Sequence, residues 1–548
     1  MDANGVIPQG VIGAELLLFD PDFPYLMRTD YHAVLSAVEA LRHNQVLVVE
    51  LADLARLDSF REHLAETVWL QQRRAVLTEI GLFIHHLAEL PAVSDRIILI
   101  ISPMPRADRA AAGHWLAPML MLHPQVTASL LHSQGTRRPG IVLNTDIAGA
   151  IVALAQTGAT TLLRQTAAAD DAVAVRLAQV HRRIIALHRM RAPLLQSYVL
   201  LCVVVFLAAA PVLWSISLGR SHLAIIWEYA LLIVAAFPLA ALLLALFPIT
   251  GTGWALASVT VLTALLVWTT KALAKCRLDS FLLLFSATGL ALLLDILTGA
   301  KLIQWSALGY DVIGGARFYG IGNEYGGVLL TSVLTAVGIL LHRSPVRSCT
   351  RQAIAAFLLT SCIAGAPWWG ANNGVAASAV LGFTLTTFFL LQAPVSWRHI
   401  LAAGLLLLLF AAAAIALELT WNKSNPSHLG QLARQVMAGG LAPIWSMAAR
   451  KLAMNLKLLR YTIWTKVLLS SLAISSALIF RPVPWVRDFL ARSPQLLAVA
   501  KGSLVTAMFL LVLNDSGVVA AATAMIPVTT LLLFLAARSL AMKRVTTK

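Results

Sequence analysis

The side chains best placed to do chemistry are ionisable groups and amides in glycine-rich breaks between apolar runs. The stretch from Gly314 to Gly327 holds six glycines, Arg317, Tyr319, Asn323, Glu324 and Tyr325. Glycine lets backbone come close to a ligand or another helix. Ionisable groups at membrane depth are costly unless they serve a site. A guanidinium binds phosphate through charge-assisted hydrogen bonds, and a nearby carboxylate can take the proton of an attacking hydroxyl. The stretch therefore reads as the lip of a polar pocket.

Further polar groups punctuate the same half of the chain. Asp295 ends one apolar run, and Lys301, Gln304, Tyr310 and Asp311 lead from it towards Arg317. Asn372 and Asn373 follow Trp368 and Trp369, Lys423 and His428 open a long loop that also carries Arg434, and Asp515 lies in Asn514-Asp515-Ser516-Gly517. Each has a structural alternative. The tryptophans suit interface anchors, the Asn and Asp clusters suit tight turns, His428 suits a helix cap, and Arg317 with Glu324 suits an ion pair.

The elements that must position these groups are membrane helices. The 548 residues are 59% hydrophobic and 12% charged, with a mean hydropathy of +0.78, which excludes an ordinary soluble protein. Runs near 198–217, 223–247, 253–273, 279–298, 322–341, 352–369, 373–392, 400–420, 462–480, 499–515 and 517–537 each approach the length of a span, giving about eleven. The formal charge of +16 sits largely in short loops, where it orients helices and meets lipid headgroups, so nucleic acid is not implied. Lys271, Lys275, Arg277, Arg343, Arg347, Arg351, Arg398, Arg481, Arg487, Arg492 and the basic tail at 541–548 mark alternate loops and the C-terminus as cytoplasmic. All four polar groups then emerge on the extracytoplasmic face, as does the N-terminal domain. The basic residues just before the first span run against this rule. Residues 429–460 suit a helix lying on the membrane surface.

Carboxylates concentrate before about residue 190, so a soluble domain over 1–160 and a charged connecting helix over 161–194 precede a membrane domain over 195–540. Val46 to Leu51 and Arg96 to Ile101 read as buried parallel strands, with helical periodicity over about 59–90 between them. Cys202, Cys276, Cys349 and Cys362 form no metal or disulfide pattern.

Pro24 to Asp30, the strand ending in Glu50-Leu51-Ala52-Asp53, Ile101-Ser102-Pro103-Met104-Pro105, and His132 to Ile147 follow in order. This series resembles the C-terminal half of the alkaline phosphatase superfamily, where strand-end Asp and His residues hold metal ions. The resemblance implies a partial α/β domain. Asp53 stands where a metal ligand would be, but Pro103-Met104 replaces the Asp-His pair and the nucleophile-bearing half is missing. A metal-free, non-catalytic domain is expected, with Asp53 and His132 structural and a segment missing upstream. The fold class expected is α/β followed by an all-α polytopic domain.

The layout of the membrane part, with Arg317 in a Gly-rich loop and His428 in a later long loop, loosely resembles O-antigen ligases and related C-superfamily glycosyltransferases. That resemblance implies an envelope transferase using a polyprenyl-phosphate-linked glycan, with membrane lipids around it and no cofactor. Arg317 with Lys423 or Arg434 would bind donor phosphate, and Glu324 or Asp295 would act as general base. Asn323, Asn372 and Asn373 would orient sugar hydroxyls, with Tyr319 and Asp515 beside them. A transporter or flippase of an envelope precursor, or a non-enzymatic scaffold, are the alternatives.

Overall fold

The computed structural model describes residues 10–40, 46–91, 93, 96–122, 128–157, 162–166, 170–248, 251–315, 317–343, 347–394, 396–421, 440 and 442–546. The chain divides into two compact units, residues 1–181 and 182–548.

In the first unit, three two-stranded sheets pair β1 (Leu17–Phe19) with β2 (Met27–Thr29), β3 (Ile98–Ile101) with β4 (Met119–Leu122), and β5 (Ser129–His132) with β6 (Leu163–Thr166). All three pairs are antiparallel, which corrects the expected parallel sheet. Val46 to Leu51 joins none of them, and Val48 is 85% exposed. An apolar run becomes a buried strand only where a partner covers it, and this run has none among the described residues. The helices are α1 (Tyr31–Ala40), α2 (Asp53–Ser59), α3 (Glu66–Glu89), α4 (Ala107–Ala111) and α5 (Asn144–Thr157). Helix α3 organises the core, because Trp69, Val76 and Phe83 recur every seven residues and share one buried face. The Trp69 ring is surrounded by the guanidinium groups of Arg61, Arg73 and Arg106, at 4.6, 5.6 and 4.9 Å.

Helix α6 (Asp170–Leu207) begins in the first unit and runs on without interruption, so the connecting helix and the start of the first span are one element despite Pro193. After it come α7 (Ala209–Ser217), α8 (Leu223–Leu244), α9 (Thr252–Leu273), α10 (Arg277–Leu297), α11 (Asn323–Arg343), α12 (Arg347–Gly365), α13 (Asn373–Leu390) and α14 (Trp397–Trp421). The rest are α15 (Ala442–Tyr461), α16 (Trp464–Phe480), α17 (Pro484–Ala491), α18 (Pro494–Leu513) and α19 (Gly517–Thr546), so most of the predicted basic tail is helical. Every predicted span falls on a helix. Among the described residues, nine helices are long and apolar enough to cross a membrane, or ten if α15 and α16 form one bent span. Helix α16 has 17 residues and the apolar part of α12 is similarly short, which accounts for the difference from eleven.

Helix α19 is the axis: the most apolar part of its span is wholly buried, packed against α8, α11, α16 and α18. Without a hydrophobic force between helices in lipid, close packing of small residues holds such a bundle. Helices α13 and α18 do this reciprocally. A Cβ on Gly382 would lie 2.1 Å from Thr506 Oγ1, and one on Gly502 would lie 2.0 Å from Thr386 Oγ1. Each threonine hydroxyl bonds back to its own helix, at Gly382 O and Gly502 O, so no polar group is stranded.

The alternation of helices gives the bundle two ends. Helices α8, α10, α12 and α18 finish, and α11, α13 and α19 begin, at an end built largely from long loops. Short loops join α9 to α10 and α11 to α12 at the opposite end. Helix α15 meets α16 at 92° and packs Lys451 and Asn455 on the turn between α18 and α19, so it lies across the long-loop end. Trp445, Leu452 and Leu456 on α15 are exposed.

Candidate functional site

At the long-loop end the helices stop at groups that organise backbone. Asp295, in the last turn of α10, is buried and accepts the N–H groups of Leu302 and Ile303, both at 2.8 Å. It holds the turn that follows, with both oxygens engaged by backbone.

Three basic side chains of α6 meet polar groups at this end. Arg183 donates to Ala245 O at 2.5 Å and lies 4.3 Å from the Trp305 ring. His188 Nδ1 is 2.9 Å from Asp311 Oδ2. Arg191 donates to Gly309 O and to Glu324 Oε1, each at 2.8 Å. His188 and Arg191 are three residues apart, so they share one face of the helix. Asp311 also accepts the N–H of Ile313, which fixes its carboxylate. Both carboxylates therefore face side chains from more than a hundred residues earlier.

The ion pair considered between Arg317 and Glu324 is not formed. Glu324 pairs with Arg191, while Arg317 donates to Ala371 O at 3.2 Å. That bond is one of several stapling the 311–322 loop to the 366–372 loop. Ile321 donates to Gly370 O at 2.7 Å. Asn372 Nδ2 donates to Ile321 O at 3.0 Å and to Asn323 Oδ1 at 3.3 Å, and its Oδ1 accepts Val375 N–H, capping α13. Gly320 has φ 76° and a Cβ there would lie 2.1 Å from Gly370 O, so only glycine fits.

A third loop joins them. Asn514 is buried, with its Oδ1 2.4 Å from where a Cβ on Gly374 would stand. Asn455 of α15 accepts Gly517 N–H and donates to Leu511 O and Asn514 O. Lys451 donates to Leu513 O and lies 3.6 Å from Asp515, whose side chain is 73% exposed. Helices α11, α13 and α19 thus start side by side. Each start follows a related pattern: Asn323 before Gly327-Val328, Asn372 before Gly374-Val375, and Asn514 before Gly517-Val518. Three helix N-termini and the C-termini of α8, α10, α12 and α18 meet at this end, so their dipoles largely offset one another.

Of the residues singled out from sequence, Arg317, Asn323, Glu324 and Asn372 are joined by this network. Tyr319 is half-buried in the same loop, and Asn373 is exposed at the start of α13. Asp515 borders the cluster through Lys451, and Asp295 supports it from below. Lys423, His428 and Arg434 lie outside the described residues. Sequence reading missed His188, Lys451 and Asn455, and took Arg191 as part of a linker. The signal available was the basic stretch before the first span, which breaks the charge rule and so asks for a local partner.

In the first unit, Asp53 is fully buried and accepts from Thr29 N–H and Oγ1, Tyr31 Oη and Arg56, leaving it no free valence for a metal. Burial, reinforced by Asp53, pushes the Tyr31 hydroxyl well above its ordinary value. Burial also lowers the His132 imidazole, whose Nδ1 has no hydrogen-bond partner. Among the described residues no three His, Cys, Asp or Glu side chains are grouped to hold a metal ion. Compared with protein families, curated proteins and solved structures, the chain matches none.

Proposed function

We propose that this multi-pass membrane protein is a transferase acting at its long-loop end on an anionic lipid-linked substrate, of the polyprenyl-phosphate-glycan class. The observation that carries the reading is the His188–Asp311 pair set beside Arg191–Glu324 on one helix face. A carboxylate on Nδ1 fixes the imidazole tautomer, leaves Nε2 as the base and stabilises the imidazolium that forms. In the proposed step the acceptor hydroxyl loses its proton to His188 Nε2 while its oxygen bonds the transferred sugar carbon. The bond from that carbon to the phosphate oxygen breaks, and the phosphate leaves with the electron pair. Arg317 would stabilise the leaving charge. In this reading Asn323 and Asn373 would meet hydroxyls, and Glu324 would keep Arg191 in position instead of serving as base.

The face assigned to this end follows from charge. Lys271, Lys275, Arg277, Arg343 and Arg398 border the short-loop end, which the positive-inside rule makes cytoplasmic. Arg183 and Arg191 break that rule, but both are bound by carbonyl or carboxylate groups of the cluster. Their charge serves the site, so their place before the first span does not set orientation. The long-loop end and the N-terminal unit would then lie outside.

A transporter of the same substrate is the second reading. Ser332 and Thr335 of α11 and Ser503 of α18 are buried hydroxyls without hydrogen-bond partners in mid-bundle, as a polar path would need. One experiment separates the two. The full chain in vesicles is given a radiolabelled polyprenyl-phosphate-linked sugar and a sugar acceptor. Labelled product with release of polyprenyl phosphate is expected, falling about 10²–10⁴-fold in His188→Gln. Intact label crossing the vesicle, or equal turnover by His188→Gln, would contradict the transferase.

A further inference from the structure

The short-loop end carries a crevice of about 240 Å³ whose wall is divided by chemistry. His342 and Arg343 of α11 and Arg538 of α19 supply its basic side; Leu278, Phe489 and Leu535 supply its apolar side. None of the lining side chains is a carboxylate. Arg343 reaches Asp279, which is nearly buried and also accepts the N–H groups of Lys275 and Cys276 at the start of α10. That pairing offsets one positive charge. Arg538 has only the Phe534 ring, at 6.0 Å, and no carboxylate within ion-pair distance among the described residues. It is part-buried near the short-loop end of α19, within reach of a headgroup at that surface.

We propose that this crevice binds the phosphodiester headgroup of an anionic phospholipid. Arg538 and Arg343 take the phosphate oxygens through charge-assisted hydrogen bonds, while Leu278, Phe489 and Leu535 cover glycerol and acyl carbons. A free phosphate would satisfy the arginines but leave the apolar wall bare. Basic pockets between membrane helices bind anionic headgroups in this way. The inference is independent of the transferase reading, since it uses none of its residues.

The test is native mass spectrometry of the full chain released from phosphatidylcholine nanodiscs with and without phosphatidylglycerol. The wild type should retain one phosphatidylglycerol with roughly tenfold preference over phosphatidylcholine, about 1.4 kcal/mol. Arg538→Gln should abolish the preference and Arg538→Lys should keep most of it, the second variant guarding against simple misfolding. Unchanged retention by Arg538→Gln would overturn the proposal. So would displacement of the lipid by inorganic phosphate at millimolar concentration, which would assign the site to a soluble anion.

Discussion

The two ends of the bundle solve the same problem differently. At the short-loop end, buried Glu228 is paired by Lys271 and Arg277, which lie on or beside the hairpin from α9 to α10. Asp279 there caps its own helix. At the long-loop end, Asp311 and Glu324 are met by His188 and Arg191 across separations of 123 and 133 residues. Pairing between neighbouring spans needs only that those helices pack, so the short-loop end can stabilise charge wherever adjacent helices meet. Long-range pairing needs the whole bundle assembled. It brings His188 and Arg191 of one helix to carboxylates of a distant loop, which no single hairpin could do.

The sharpest way to break this contrast is chemical. Asp311→Asn should lower transfer about 10²–10⁴-fold, because the imidazole loses the carboxylate that orients it. Arg277→Gln should stay within about twofold, since Lys271 still holds Glu228. Stability comes next. Arg191→Met leaves Glu324 half-buried and unpaired and should cost about 3 kcal/mol in thermal denaturation. Lys271→Met should cost about half as much, because Arg277 remains 3.5 Å from Glu228. Gly320→Ala, forced against Gly370 O at positive φ, should cost about 2 kcal/mol and loosen only the long-loop end, seen as faster hydrogen exchange over 311–322.

The smallest effect belongs to the first unit. The Arg106 hydrogen bond holds the Asp108 carboxyl down at about 2, against some burial. Its stabilisation is complete above about pH 4 and is lost as pH falls towards 2. Burial raises Asp58, with Arg73 opposing, so that group contributes in the reverse sense, losing its share as pH rises through its raised value. Asp108→Asn should therefore flatten the acid limb of the first unit's melting curve by less than about 1 kcal/mol and leave both bundle ends unchanged.

Much of the bundle was legible because length and apolarity alone define a span. The Arg317 loop was legible because six glycines among polar groups suit nothing facing lipid. The partners of that loop were not. Proximity in sequence suggested Arg317 for Glu324, yet seven residues of glycine-rich loop turn Arg317 towards Ala371 and leave Glu324 to a helix of another span. His188 sat in a run of basic residues whose composition also fits a linker. In the first unit, Arg96 to Ile101 contains β3 as expected, but strand direction is set by the partner, and Met119–Leu122 returns antiparallel. The helical reading of about 59–90 rested on a strong period, and α3 realises it.

The central claim is that the polar loops gather at one face and that this face is extracytoplasmic. Asn373 and Asp515 are both exposed at the long-loop end, while native Cys276 is exposed at the other. Single-cysteine chains, Asn373→Cys and Asp515→Cys without the native thiols, and one keeping only Cys276, should be probed in intact cells with a membrane-impermeant maleimide. Labelling of both introduced cysteines, with Cys276 reached only after permeabilisation, is the result predicted. Residues 373 and 515 reacting from opposite sides, or Cys276 reacting from outside together with them, would contradict it.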